Sequence, residues 1–345
     1  MRNYTLFLLL LGGMTFTNPM LAQSDREALD YMETMFTTLN RSKDNTWQYL
    51  KAVTRGKGAK KIESKRQILL TELKTTKIEI QKMGNFESND SLKNAAVRYM
   101  DLSYSVLKED YDKILNMEEI VEQSYDLMEA YILAQEQASD KLNASFDELV
   151  VAQKQFAASH HITLLEAKND ETSQKILQAS NMLKYYHEIY LIFFKSYKQE
   201  AYALDALQRN DISAFEQHAG TLAQYAQEGL DKLNTKEGYM NDISLKRSGL
   251  SILTFYKKEG EKDFPAMTEF YIKKDNFDKI QKTFESISAK NRTQQDVDQY
   301  NNGVNEINAA VKEVNKLNDQ VNNTRKIQLD QWNKAVEKFF EAHSN

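Results

Sequence analysis

The residues best able to do chemistry here are few. The chain has five histidines, His160, His161, His187, His218 and His343, and no cysteine. A carboxylate-bridged dimetal bundle needs Glu-x-x-His pairs turned inward. Three residues before His160, His161, His187 and His218 stand Ala157, Ala158, Lys184 and Phe215, so that pattern is absent, and so is any His-x-x-x-His. Without cysteine there is no disulfide framework, thiolate zinc site, dithiol redox centre or thiol nucleophile. Neither Gly-x-Ser-x-Gly nor Gly-x-x-x-x-Gly-Lys occurs, which removes the usual nucleophile elbow and phosphate loop. Carboxylates abound, but nothing singles out a converging pair of the kind glycoside cleavage requires. The reading is of a protein that is not an enzyme and carries no cofactor or metal.

Three other features invite binding. Arg55, Lys57, Lys60, Lys61, Lys65 and Arg66 form a basic cluster able to touch anionic envelope polymers or lipid headgroups, or simply a solvated helix start. Asp90-Ser91-Leu92 has the form of a short acceptor motif for O-linked glycans and equally of a helix cap. Aromatics are plentiful, with 18 Tyr, 16 Phe and 2 Trp. The run Tyr185 to Phe194 is apolar around most of a helix, which predicts a helix buried on several sides where two units meet. Tyr186, Tyr190 and Phe194 from this run are candidate binding residues, with an aromatic pocket near 185–194 as the second reading. Trp47 and Trp332 are expected to pack structurally.

The elements that hold these residues are helices. Gly 11 and Pro 2 are scarce in 345 residues, and the stretch from Asn85 to Ala219 contains neither. Apolar residues recur at three and four, as in Leu29, Met32, Phe36 and Leu39 or Ile62, Leu69, Leu73, Ile80 and Met83. That spacing makes amphipathic helices rather than strands. Breakers and caps predict helices near 24–54, 59–83, 91–137, 139–160, 170–209, 211–233, 244–260, 265–288 and 294–342, the third bent near Asn116.

The chain also matches itself. At a shift of 154, Tyr31, Met35, Leu39, Ser42 and Leu50 face Tyr185, Ile189, Phe193, Ser196 and Leu204; at 153, Leu69, Ile80 and Phe86 face Leu222, Leu233 and Tyr239, and Ser91-Leu92-Lys93 faces Ser244-Leu245-Lys246. The expected fold is all-α: two duplicated antiparallel helical bundles of about four helices each, plus a long C-terminal helix. The expected division is residues 23–165 and 166–345. A heptad runs through the last helix, with Val297, Val304, Val311 and Asn318 at one position and Tyr300, Ile307, Val314 and Val321 at the other. It predicts a seam for packing within the bundle or for a homodimer.

Residues 1–22 have the layout of a secretory signal: Arg2, the apolar run Leu6–Leu11, then Pro19 and Ala22 before Gln23. With it removed, Arg2 is lost and 44 basic residues stand against 50 acidic ones, a net charge of -6. Mild acidity argues against a nucleic-acid partner, and no other segment is apolar enough for stable membrane insertion.

Three blocks resemble a family of exported bacterial surface proteins named from leptospires and common in Bacteroidota. They are Asn116–Tyr131 (NMEEIVEQSYDLMEAY), Tyr190–Tyr202 (YLIFFKSYKQEAY) and Asp296–Asn301 (DVDQYN) with the heptads that follow. The resemblance covers most of the mature chain. It implies export and a periplasmic or cell-surface location, and transfers no functional residue. Lipid anchoring, known for some such surface proteins, needs a cysteine this chain lacks. The expected function is that of a non-enzymatic envelope module for binding or scaffolding, its partner a protein or an envelope polymer. The second reading is a small-molecule or metal-carrying bundle.

Overall fold

A computed structural model describes residues 15–16, 23–55, 58–87, 89–115, 124–165 and 170–344. The signal-like segment 1–22 lies outside the described residues apart from Thr15–Phe16, as do Asn116 and Lys57. The fold is all-α. Its helices are α1 (Gln23–Thr54), α2 (Ala59–Lys82), α3 (Ser91–Leu115), α4 (Tyr125–Ser159), α5 (Glu171–Gln208), α6 (Ile212–Thr235), α7 (Ser244–Lys258), α8 (Phe264–Ser286) and α9 (Gln294–His343). A π-helical segment, Glu259–Asp263, joins α7 to α8, and a 3-10 turn, Ala289–Asn291, precedes α9. The one extended element among the described residues is a two-residue antiparallel ladder, Thr15 opposite Leu165 and Phe16 opposite Leu164.

Local chemistry sets the helix starts. Ser124 Oγ accepts from Leu127 N, Asp170 Oδ1 from Ser173 N and Asp211 Oδ1 from Ala214 N. Each satisfies an amide that the first helical turn leaves without a partner. Thr293 and Asp296 cap α9 reciprocally, at 2.8 Å and 3.2 Å. The expected restart at Ser139-Asp140 does not occur, and α4 runs through it unbroken. Good helix formers flank that dipeptide and no breaker precedes it, so the cap signal alone does not end a helix.

The chain divides into two compact units: Met1–His187 with Phe340–Asn345, and Glu188–Phe339. In the first, α1, α2, α3 and α4 pack in sequence order. Their buried stripes include Met32, Leu39, Leu69, Leu73, Ile80, Leu92 and Tyr99. In the second, α6, α7, the π segment and α8 pack together. Phe193 of α5 stacks on Trp332 of α9 with ring centroids 4.5 Å apart.

The helix–turn–helix segments of the two units share one offset. α2 and α6 each have 24 residues, and both their ends differ by 153 positions. α3 begins at Ser91 and α7 at Ser244. The turns carry isolated bridges, Phe86 with Asn89 and Tyr239 with Asp242. Glu87 and Met240 adopt left-handed backbone at φ 46° and 49°. Lys93 Nζ donates to Met83 O, and Lys246 Nζ to Lys236 O.

Candidate functional site

The aromatic candidates are core residues. Tyr186, Tyr190 and Phe194 are all buried. In the first unit Tyr186 meets Phe340 edge-on at 4.9 Å. In the second, Tyr190 stacks on Phe194 at 5.4 Å. Of the heptad valines, Val297 and Val304 are half-buried and Val311 is 38 % exposed. At the other heptad position Val314 and Val321 are buried as expected, while Gly303 and Ala310 are buried one residue before Val304 and Val311. A Cβ at Gly303 would stand 3.0 Å from the Phe277 ring, so a larger residue there would have to push that ring aside.

The basic cluster is dispersed in the structure. Lys60 and Lys61 are exposed, but Arg66 is buried, paired with Glu63 at 2.8 Å and donating to Leu107 O at 3.3 Å. Arg55 donates to Ser344 O. Ser91 is exposed at the start of α3, its amide held by Asn89 Oδ1, while Leu92 is buried. His160 ends α4 as its C-terminal cap, edge-on to Phe86 at 5.0 Å.

Two open grooves run along helix pairs. In the first unit a groove of about 650 Å³ lies between the start of α3 and α4, lined by Val151, Ala144 and Ala152 together with Arg98, Asp147 and Glu148. Val151 is 53 % exposed there. In the second unit a groove of about 520 Å³ lies between α7 and α9, lined by Phe255, Leu317 and Val321 with Thr254, Thr324 and Gln328. Ser251 Oγ donates to Gln328 Oε1 across it at 2.9 Å. The Lys258–Asp263 ion pair, at 2.7 Å, is also part of its lining.

The same unit holds a group of buried charges that residue type alone did not reveal. Glu259, the first residue of the π segment, is fully buried, and Glu200 of α5 nearly so. Arg325 of α9 forks between them, Nε to Glu200 Oε1 and Nη2 to Glu259 Oε1, and Nη1 donates to Asn322 Oδ1 at 2.5 Å. Because Nε and Nη2 are neighbouring arms of one guanidinium, the two buried carboxyls it holds lie side by side. Burial first, and the field of Glu200 second, raise the Glu259 carboxyl to about 9 against the opposing pull of Arg325. Burial and the same two carboxyls push Tyr256 well above the usual phenol range. For Arg325, burial opposes the charge, but the two carboxyls outweigh it and hold the guanidinium protonated.

The π segment has a local cause. Phe264 N donates to Glu259 O, five residues back, immediately before Pro265, which has no amide hydrogen to offer. Gly260 permits the fit: a Cβ there would lie 2.6 Å from Ala219 O and 2.8 Å from Ala223 N of α6. Lys-Glu-Gly-Glu-Lys-Asp-Phe-Pro at 258–265 was the available signal, a glycine and a proline bracketing charges within a helical pattern.

Among the described residues, no three His, Cys, Asp or Glu side chains are placed to hold a metal ion, and no helix is long and apolar enough to cross a membrane. No family model, curated protein or solved structure matches the chain.

Proposed function

We propose that this chain is a non-enzymatic, exported helical module that binds a protein or an envelope polymer along its helix surfaces. The observation that carries the reading is the pair of open grooves. Each is open and is lined from two helices by apolar and polar side chains together, the form suited to extended ligands rather than to an enclosed substrate. The signal-like start supports export, as does the resemblance to exported surface proteins. The common offset of 153 between α2–α3 and α6–α7 supports descent of the two units from one duplicated pattern.

Immobilised mature chain, exposed to envelope extract and to purified envelope polysaccharide, tests the reading. We expect a retained species whose binding falls at least tenfold on Val151→Glu with Arg98→Glu, or on Thr324→Lys with Gln328→Lys. Light scattering separates self-association from a foreign partner. Retention of nothing, by a chain that is also monomeric, would overturn the proposal.

A further inference from the structure

We propose that Glu200, Glu259 and Arg325 form a proton-holding latch: one proton shared by two buried carboxyls keeps the π segment docked, and its loss at alkaline pH releases that segment. The geometry is the starting point. Two buried carboxyl groups face one guanidinium, and each takes one arm of its fork. Oε2 of Glu259 receives no hydrogen bond and is buried. Two ionised carboxylates cannot hydrogen-bond to each other, because neither has a donor. With a proton on Glu259, the carboxyl donates to Glu200, accepts from Arg325, and the cluster is neutral overall. When that proton passes to hydroxide in the solvent, giving water, a second negative charge is left in a site where burial makes it costly.

The latch is tied to a backbone irregularity that can yield. Glu259 is both the proton carrier and the acceptor, through its carbonyl, of the five-residue-back bond from Phe264. π insertions are common where helices carry function. Outward movement of the Glu259 side chain therefore pulls directly on the bond that closes the segment. The groups facing Glu259 come from each neighbouring element: Glu200 with Tyr197 beside it from α5, Tyr256 from α7 and Arg325 from α9. α6 meets the segment through Ala219 and Ala223, which do not titrate. Lys258 is spoken for by Asp263, and Lys257 stands 3.7 Å from Glu261 at the surface.

The sign follows from the direction of the shift. The ordinary Glu value is 4.5 and the folded value is about 9. Through that interval the folded chain holds a proton that the unfolded chain has lost. The stabilisation is complete below 4.5 and disappears as pH climbs through about 9.

Urea unfolding of the full mature chain from about pH 6 to about pH 10 tests this, beside Glu259→Gln. The glutamine amide keeps a donor for Glu200 and an acceptor for Arg325 but has no proton to lose. Wild type should lose stability by up to about tenfold per pH unit in the unfolding constant, while the variant stays flat over the same interval. Exchange of the Phe264 amide, corrected for intrinsic rate, should accelerate with pH in wild type alone. Parallel pH curves for the two proteins would overturn the latch. If the variant does not fold, infrared spectra of wild type carrying labelled glutamate decide. A protonated-carboxyl band at neutral pH that vanishes in alkali supports the proposal; its absence at neutral pH refutes it.

Discussion

The two units set a helix–turn–helix corner at one sequence offset and load it differently. At offsets of 153 and 154, Thr46, Ser103 and Val106 of the first unit correspond to Glu200, Tyr256 and Glu259 of the second. All six are buried. In the first unit the hydroxyls are satisfied within their own helices, Thr46 Oγ1 by Ser42 O and Ser103 Oγ by Tyr99 O. No third element is needed. In the second unit the carboxyls cannot be satisfied locally and require Arg325 from another helix. The neutral corner is self-contained, whereas the charged one makes the position of α9 a condition of its own stability. A second difference lies nearby. Arg66 of α2 reaches the carbonyl of Leu107, while at the corresponding positions Ala219 and Gly260 bring two backbones together without an intervening side chain.

This contrast predicts a graded series of losses. The largest belongs to Arg325→Met, which strands two buried carboxyls and should cost about 4 kcal/mol in urea unfolding at neutral pH. Replacing the whole set, Glu200→Leu and Glu259→Leu with Arg325→Met, should recover most of that loss, since buried ion groups exchange for apolar ones at little net cost. If the triple variant is no better than the single one, the charged corner is not the self-consistent unit described. Next is Gly260→Ala, which drives a methyl into the backbone of α6 and should lose about 3 kcal/mol. Arg66→Met in the first unit should lose about 2 kcal/mol, because the Leu107 carbonyl and Glu63 give up charge-assisted bonds. A loss in Arg66→Met equal to that of Arg325→Met would erase the distinction between the two corners. The smallest effects are at the matched caps: Asn89→Ala and Asp242→Ala should each cost about 1 kcal/mol, and equally, if the turns are equivalent.

Much of the scaffold was legible because it depends on short-range chemistry. The limits of α1, α2, α5 and α6 follow from Gly, Asn-Asp and Asp-Ser signals that set caps within a few residues. The shared offset was visible because apolar stripes and their turns shift together. The seam of α9 was read in part: Val314 and Val321 are buried as expected, but the first heptad position was read one residue late, and the reason is physical. Branched side chains mark a seam in sequence, but the close contact with Phe277 selects Gly303 and then Ala310, leaving Val311 38 % exposed. The buried charges were illegible for a different reason. Glu200 and Glu259 look like any solvated glutamate, and only the long-range placement of Arg325 makes them a set. Arg66 was likewise grouped with surface lysines, although Glu63 and the Leu107 carbonyl hold it inward. The joint at 259–263 was read as a break before Pro265, where the chain instead absorbs the missing amide by widening one turn.

That widened turn has a consequence for insertions and deletions. A helix with five-residue closure accommodates one residue more than the regular path would hold. Excising a single residue between Glu259 and Asp263 would return the turn to four-residue closure with the helix beyond it close to its present bearing, whereas excising one from the regular helix α7 would swing every side chain beyond it by about 100° around the axis. Phe264, which now meets Phe215 at 4.9 Å, would face away from it. The irregular turn thus works as a phase adjuster, taking up a surplus residue without turning the downstream helix away from its partners.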